Sequence, residues 1–432
     1  MFQSKNNKIN SFFNFFWSFS ISNIFLTNII SPFFFLINLI YIFYISIKNK
    51  FFYKLLKYKF FKDALIFFSI FLIIGLIINV YLANSVTNQI KFLSLILVFF
   101  FPFFFGYYLW KNNNIYVFLS RIVLYFNSFI ILDIWIFSFF RLSIFPFVAD
   151  INYFQFSRYG GVFLDEMVLG GYLCVTFPLI LNYLKRKLKN IDIFFYNNLN
   201  LFFFTYLFSI ILTGDRKPSI IMMFFLLINF LVLEKKYFSI KIFFTKKNIF
   251  LIIFVLIFPF ILNEDKLVRF TSDIIEILSN TGQTNNFVKG DWFNIYHSSF
   301  QIIQLSYQNF IIGIGSKNFD VYCLQFISSG CSSHPHNLYI EMFVSFGVIG
   351  FVLFVTGVYR VFNFLIKVLN ILKFEDRYLV ISIIMIQIFF FVPFLPSGGL
   401  FATNLLIYFS LLNSISVMNL LILRQSYDFK IL

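Results

Sequence analysis

His334 and His336, two of the chain's three histidines, stand two residues apart in Ser-Ser-His-Pro-His-Asn, immediately ahead of a long apolar run. Pro335 lacks an N–H and pushes the residue before it out of the α region, so no helix extends backward through the pair. His336 and Asn337 therefore fall where a membrane helix would emerge into water. Asn337 or Ser333 can cap that helix, and its free N–H groups would face an anion bound there. The plainer alternative is a pair of boundary residues that only reach lipid headgroups. Gly347 and Gly350, three apart on one face of the helix behind, would let a second helix approach closely.

The cations of this chain offer a second chemistry. Arg158 lies in Arg-Tyr-Gly-Gly-Val-Phe-Leu-Asp-Glu, directly before an apolar run, and Arg216 lies in the tight turn Thr-Gly-Asp-Arg-Lys-Pro between two such runs. Arg269, Lys289, Lys217 and His297 fall on the same side of the chain's topology as these arginines. Arginine forks match phosphate oxygens in bidentate fashion, so several of them around a helix-start histidine would suit a lipid-linked pyrophosphate. The competing reading is that Asp165, Glu166 and Asp215 simply pair with the arginines. His334 and His336 with His297 could hold zinc, but His-x-His without a nearby carboxylate is a weak ligand set, and no metal is expected. The sequence contains no Asp-x-Asp pair, Gly-x-Ser-x-Gly elbow or Walker-type lysine loop. Gly313-Ile-Gly315 is a weak phosphate signal and reads as a turn.

The elements that must position these residues follow from composition. The 432 residues are 60% hydrophobic and 12% charged, with 74 Phe, whereas soluble domains carry about 25% charged residues. A net charge of +16 would suggest nucleic acid for a soluble chain. Here the lysines cluster in short loops between apolar runs, so no nucleic-acid partner is expected, and the lipid bilayer is the surrounding phase. Runs long enough to cross it occupy 31–47, 63–82, 91–110, 115–140, 164–184, 193–212, 217–233, 248–262, 338–366, 379–396 and 400–423. The run 12–30 is a twelfth span or an interfacial helix. The expected fold is all-α and polytopic, with about 12 (11–12) transmembrane helices.

Charge asymmetry orients the chain. Six lysines between Lys48 and Lys62, the cluster Lys185, Arg186, Lys187 and Lys189, five lysines between Lys235 and Lys247, and Lys111, Lys367, Lys373, Arg377, Arg424 and Lys430 share one face. That face is cytoplasmic by the positive-inside rule, with both chain ends inside. The N-terminal stretch has no small-residue cleavage site and reads as no removable signal peptide. The division expected is an N-terminal bundle over 1–262, an outer cap loop over 263–337 and C-terminal helices over 338–432. Within the cap, Trp292, Ile295, Tyr296, Ser299, Ile302 and Ile303 would share one helical face, giving short amphipathic helices on the membrane. Cys323 and Cys331 lie in the same outer loop. On an oxidising face they form a disulfide; otherwise they are two free thiols.

These residues resemble the signature of the bacterial O-antigen ligase and O-antigen polymerase superfamily. His336-Asn337 followed after nine residues by Gly347-x-x-Gly350 is the more specific piece. Arg158-Tyr-Gly-Gly-Val-Phe, the Thr213-Gly-Asp-Arg216 turn and Gly313-Ile-Gly315 with Phe319 are similar to further family segments, in family order over about 155–350. Where family members often carry an arginine at the start of the cap helix, this chain reads Lys289-Gly-Asp-Trp292, so Lys289 or Arg269 must supply that charge.

The resemblance implies a metal-independent, inverting glycosyl transfer on the outer leaflet of the bacterial inner membrane, with the site facing the periplasm and no cofactor. The donor would be a glycan on polyprenyl pyrophosphate, and the acceptor a sugar of lipid A–core (ligase) or another repeat unit (polymerase). Arg216, Arg158 and Arg269 would neutralise the pyrophosphate, and His336 would act as general base. From a different class, a lipid-linked sugar transporter or flippase would place charges near the bilayer midplane. Lys91, Arg121, Asp133, Glu341 and Arg360 are the available positions, and they form no internal repeat.

Overall fold

The computed structural model describes residues 40–82, 86–140, 142–144, 169–187, 192–233, 291–327, 331–373, 376–391 and 403–426, and among these every regular element is a helix. In chain order they are α1 (Phe51–Leu56), α2 (Lys59–Tyr81), α3 (Val86–Lys111), α4 (Asn113–Phe140), α5 (Leu169–Lys187), α6 (Asp192–Leu212) and α7 (Arg216–Leu233). Then follow α8 (Asp291–Gln304), α9 (Tyr307–Ile312), α10 (Phe319–Phe326), α11 (Leu338–Ile371), α12 (Arg377–Phe391) and α13 (Thr403–Ser426). Three of them, α2, α4 and α11, are long and apolar enough to cross a membrane. Leu169–Leu184, Phe202–Leu212 and Arg377–Phe391 are shorter apolar helices. In hydrocarbon a backbone must satisfy its own polar groups, which is why the described parts of the apolar runs are chiefly helical. The runs 12–30 and 248–262 lie outside the described residues.

The chain divides into two compact units, each discontinuous in sequence. The first holds α4–α7 and α12 as far as Phe389. Its helices are joined by rings and by buried polar bonds. Phe177 of α5 meets Phe203 and Tyr206 of α6 and Phe225 of α7 at centroid distances of 4.9, 4.9 and 5.6 Å. Asn127 of α4 donates to Thr176 of α5 at 2.8 Å and to the Tyr206 hydroxyl at 3.1 Å. Ser382 of α12 donates to Asn182 of α5 at 3.0 Å. Between membrane helices, where lipid is as apolar as leucine, such bonds and close packing supply the attraction.

The second unit holds α1–α3, α8–α11 and α13. Gly106 lets α3 lie against the Ser414 carbonyl and Val417 of α13. Phe346 of α11 packs edge-on against Phe71 of α2 and Phe92 of α3. Helices α8–α10 are the described helices within residues 263–337. Their core consists of Ile295, Ile302, Ile303, Ile314, Phe319 and Cys323, closed by Val344 of α11. Of the face expected on α8, Ile295, Ser299, Ile302 and Ile303 are buried.

One element departs from expectation. The run 338–366 reads as a continuous helix with Gly347 and Gly350 on a packing face, but α11 is two helices joined at Gly347, whose φ of 61° and ψ of −163° are not helical. The reason is a backbone approach. A Cβ on Gly347 would collide with the backbone of Ile311 and Ile312, and one on Gly313 with that of Ser345 and Phe346. What comes close at Gly347 is the end of α9, not a second long helix. Gly350 instead faces the Phe346 side chain of its own element.

Candidate functional site

The start of α11 is built from its own sequence outward. The Asn337 side-chain oxygen accepts the N–H groups of Tyr339 at 3.0 Å and Ile340 at 3.2 Å, and its carbonyl accepts that of Glu341 at 2.8 Å. Asn337, rather than Ser333, is thus the cap. Its amide also hydrogen-bonds the hydroxyl of Tyr296 on α8. Burial raises the Tyr296 pKa, a shift that this bond partly offsets. Glu341, buried in the first turn, adds a carboxylate at the favourable end of the helix dipole.

His336 precedes the cap in a left-handed conformation, φ 55°, which few residues other than glycine adopt. The turn around it is held on several sides. Ser332 donates to the His334 carbonyl, and the Ser333 hydroxyl lies 2.9 Å from His334 Nδ1. The centroids of the His334 and His336 rings lie 4.0 Å apart, with the rings tilted by 44°. A disulfide joins Cys323 in α10 to Cys331, with Cα atoms 5.5 Å apart. His336 is half-buried, and that desolvation lowers its pKa from 6.5, favouring the neutral imidazole. A neutral ring keeps one nitrogen free to accept a proton.

Behind the histidine turn, the Gly-Ile-Gly segment closes the break in α11. Ile314 N–H donates to the Val344 carbonyl and Gly315 N–H to the Ser345 carbonyl, both at 2.9 Å. The segment is in turn fastened to α2 and α3. Asn79 Oδ1 accepts from Ser316 N at 3.0 Å and Ser316 Oγ at 2.8 Å, and Asn88 donates to Asn318 at 2.8 Å. Lys317 between these anchors also has a positive φ, 61°. Sequence reasoning missed Tyr296, Asn79 and Asn88 as supports. For Asn79 the available signal was an asparagine inside an apolar run, since such a group needs a buried partner.

In the other unit, Arg216 opens α7 after the turn Thr213-Gly214-Asp215. Gly214 supplies the positive φ of 78°, and Thr213 Oγ1 donates to the Ile210 carbonyl at 2.7 Å. The Asp215 carboxylate accepts the Gly170 N–H at the start of α5 at 2.8 Å. The acid considered as an arginine's partner is therefore engaged in capping a helix. The Arg216 side chain and all of Arg158, Arg269 and Lys289 lie outside the described residues. The structure thus brings together His334, His336, Asn337, the disulfide and the Gly347 break in one unit, and places the backbone of Arg216 in the other.

A comparison with curated proteins finds no match. Residues 201–355 match the family model described as O-Antigen ligase. The matched stretch runs from α6 into α11 and includes Arg216, the Gly-Ile-Gly segment, both histidines of the turn, Asn337, Gly347 and Gly350. Over this segment the chain is similar to the O-antigen ligase family.

Proposed function

We propose that this membrane protein is a metal-independent, inverting glycosyltransferase. It moves a glycan from polyprenyl pyrophosphate to a sugar hydroxyl at the periplasmic face of the bacterial inner membrane. His336 is the general base that takes the proton of the acceptor hydroxyl as that oxygen attacks the glycan's anomeric carbon. The bond to the pyrophosphate oxygen breaks, and Arg216, with Arg158 and Arg269 or Lys289, stabilises the anionic leaving group. In this reading residues 1–262 are the N-terminal bundle, 263–337 the cap and 338–432 the C-terminal helices. The acceptor distinguishes the two activities in the superfamily, lipid A–core for a ligase and another repeat unit for a polymerase. The His336-Asn337-x9-Gly347 spacing favours the ligase.

The observation that carries the reading is the state of His336. A base must be unprotonated and held in one place. Burial favours its neutral form, while Pro335, the Asn337 cap and the tilted contact with the His334 ring restrict its position.

The test is transfer from a lipid-linked donor in membranes containing each variant at matched level. His336→Ala should lose about 10²–10⁴-fold in rate, the usual contribution of a general base. His334→Ala should keep clear activity, and Arg216→Lys should nearly fail because a point charge does not replace a bidentate fork. Full activity in a stably inserted His336→Ala protein would reduce the histidine to a boundary residue. Glycan analysis of a strain lacking the protein would separate ligase, with free lipid-linked polymer, from polymerase, with single repeats on the core.

A further inference from the structure

Within the second unit, α2 and α11 run antiparallel and stay in step. At one end the Phe364 ring of α11 stacks on Phe60 of α2, with centroids 3.8 Å apart. Midway, Gly357 lies against the Phe67 ring. At the other end Gly315 N–H donates to the Ser345 carbonyl of α11, while the next residue, Ser316, donates to Asn79 of α2. Each step back along α11 is thus matched by an equal step forward along α2.

This register puts a length on the part that can cross a bilayer. From Gly347 to the exposed Lys367 is about 30 Å along the helix, the thickness of a hydrocarbon core. On α2 the exposed stripe Ile66, Ile70, Ile73, Ile77 and Val80 begins just after the exposed Lys62 and is wholly apolar. Arg360 falls within the length on α11. It lies over the Phe67 ring, about 10 Å from Lys367, where a long side chain can carry its charge to the boundary. The first segment of α11, 338–346, is then surplus to the crossing. It holds Asn337 and the histidine turn about 14 Å beyond the break.

Helix α9 sits at the level of that break, its Ile311 and Ile312 backbone against Gly347. Buried Asn309 donates to the Ile302 carbonyl of α8 at 2.9 Å, which leaves Tyr307 and Phe310 facing outward, 82% and 44% exposed. The Phe310 ring lies 5.9 Å from Phe343, and Phe343 lies 5.5 Å from Phe351 on the far side of the break. This aromatic row leads into the stretch of α11 where Ile349 and Val352 are exposed. We propose that the Gly347 break marks the edge of the hydrocarbon and that α9 lies on the leaflet there, with Tyr307 and Phe310 seated among lipid headgroups. Rings with an apolar body and a polar tip concentrate at this depth. Lipid is favoured over a second copy of the chain because the row is continuous with the apolar surface of a membrane-crossing helix.

The experiment uses the full chain in phosphatidylethanolamine–phosphatidylglycerol vesicles, with a nitroxide on one introduced cysteine at a time. Cys174 is buried and the other two cysteines are bridged, so the label goes to the new thiol. Power saturation with oxygen, which concentrates in hydrocarbon, and with a water-soluble nickel chelate reads the depth. Ile73→Cys on the lipid stripe marks the hydrocarbon. His297→Cys, exposed beside the Tyr296 that bonds Asn337, marks water. The oxygen-to-nickel ratio at Tyr307→Cys and Phe310→Cys should be several-fold below the first marker and several-fold above the second. A ratio at 307 equal to that at 297 would leave α9 in water, and one equal to that at 73 would put the break inside the hydrocarbon. Shielding from both reagents that grows with the protein-to-lipid ratio would make a second copy the occupant. Each of these three results overturns the proposal, and the exposed Tyr307 decides it even if Phe310→Cys fails to fold. No glycan transfer enters the measurement, so its outcome is independent of the role assigned to His336.

Discussion

Gly315 donates its N–H to the carbonyl of Ser345 at 2.9 Å, beside the parallel bond from Ile314 to Val344. In an unbroken helix those carbonyls would accept from residues four positions on. The non-helical Gly347 removes those partners, and a loop from earlier in the chain replaces them. Broken membrane helices persist where other backbone satisfies the freed groups, and here the Gly-Ile-Gly segment does so.

The glycines of this junction are therefore not interchangeable with alanine. Gly347→Ala combines a left-handed backbone, about 1–3 kcal/mol for a non-glycine residue, with a Cβ driven into the Ile311 carbonyl. Thermal unfolding of the purified protein should shift down clearly, with loss of transfer. Neighbouring Gly170 and Gly171 give an internal control. A Cβ on Gly170 would meet Thr213 Oγ1 at 2.6 Å, whereas one on Gly171 meets only ring atoms at 3.5 Å and beyond. Gly170→Ala should destabilise and Gly171→Ala should not; equal melting temperatures for the two would contradict the packing described.

The pH profile of transfer should report His336. Protonation removes the base, so activity falls as pH drops through its pKa, and burial has moved that pKa below 6.5. The acid limb of kcat should accordingly have its midpoint under 6.5, with near-full activity at neutral pH. A midpoint above that value would mean that a different group titrates, or that substrate reverses the desolvation.

The cap on α11 predicts a graded pair. Asn337→Ala removes the acceptor for two N–H groups and should cost about 0.5–2 kcal/mol. Tyr296→Phe removes the hydroxyl that Asn337 holds but leaves the cap bonds, so its loss should be smaller, about 0.5–1.5 kcal/mol. If Asn337 also orients His336, Asn337→Asp, which keeps the cap oxygen, should recover more kcat than Asn337→Ala. No difference between those two variants would confine Asn337 to a structural role.

Reduction should loosen the segment that joins α10 to the histidine turn. The Cys323–Cys331 bridge closes a loop with a sequence separation of 8, which in the chain-entropy model contributes about 2–3 kcal/mol. Cys323→Ser/Cys331→Ser protein should unfold at lower temperature and expose the 319–331 segment to protease earlier. Two alkylatable thiols in unreduced wild-type protein would show the bridge absent.

Much of this was local and so was readable from residues alone. Apolar runs of membrane length give helices because hydrocarbon leaves the backbone no other partner, and α2, α4 and α11 follow from that. Pro335 and Asn337 mark a helix start within a few residues of each other, and the cap bonds occupy that place. The buried face of α8 follows from its spacing. The break at Gly347 was not readable, because a glycine in an apolar run is compatible with a tight helix crossing as well as with a kink. Its conformation is decided by Ile311–Gly315, a segment more than thirty residues earlier that arrives only through the packing of α8 to α10 and is anchored by Asn79 and Asn88. The left-handed turn at His336 and the partnership of Tyr296 with Asn337 have the same origin. Propensity and capping act over a turn or so of chain, whereas pairing between distant backbone segments waits on the tertiary fold to bring them within hydrogen-bonding distance.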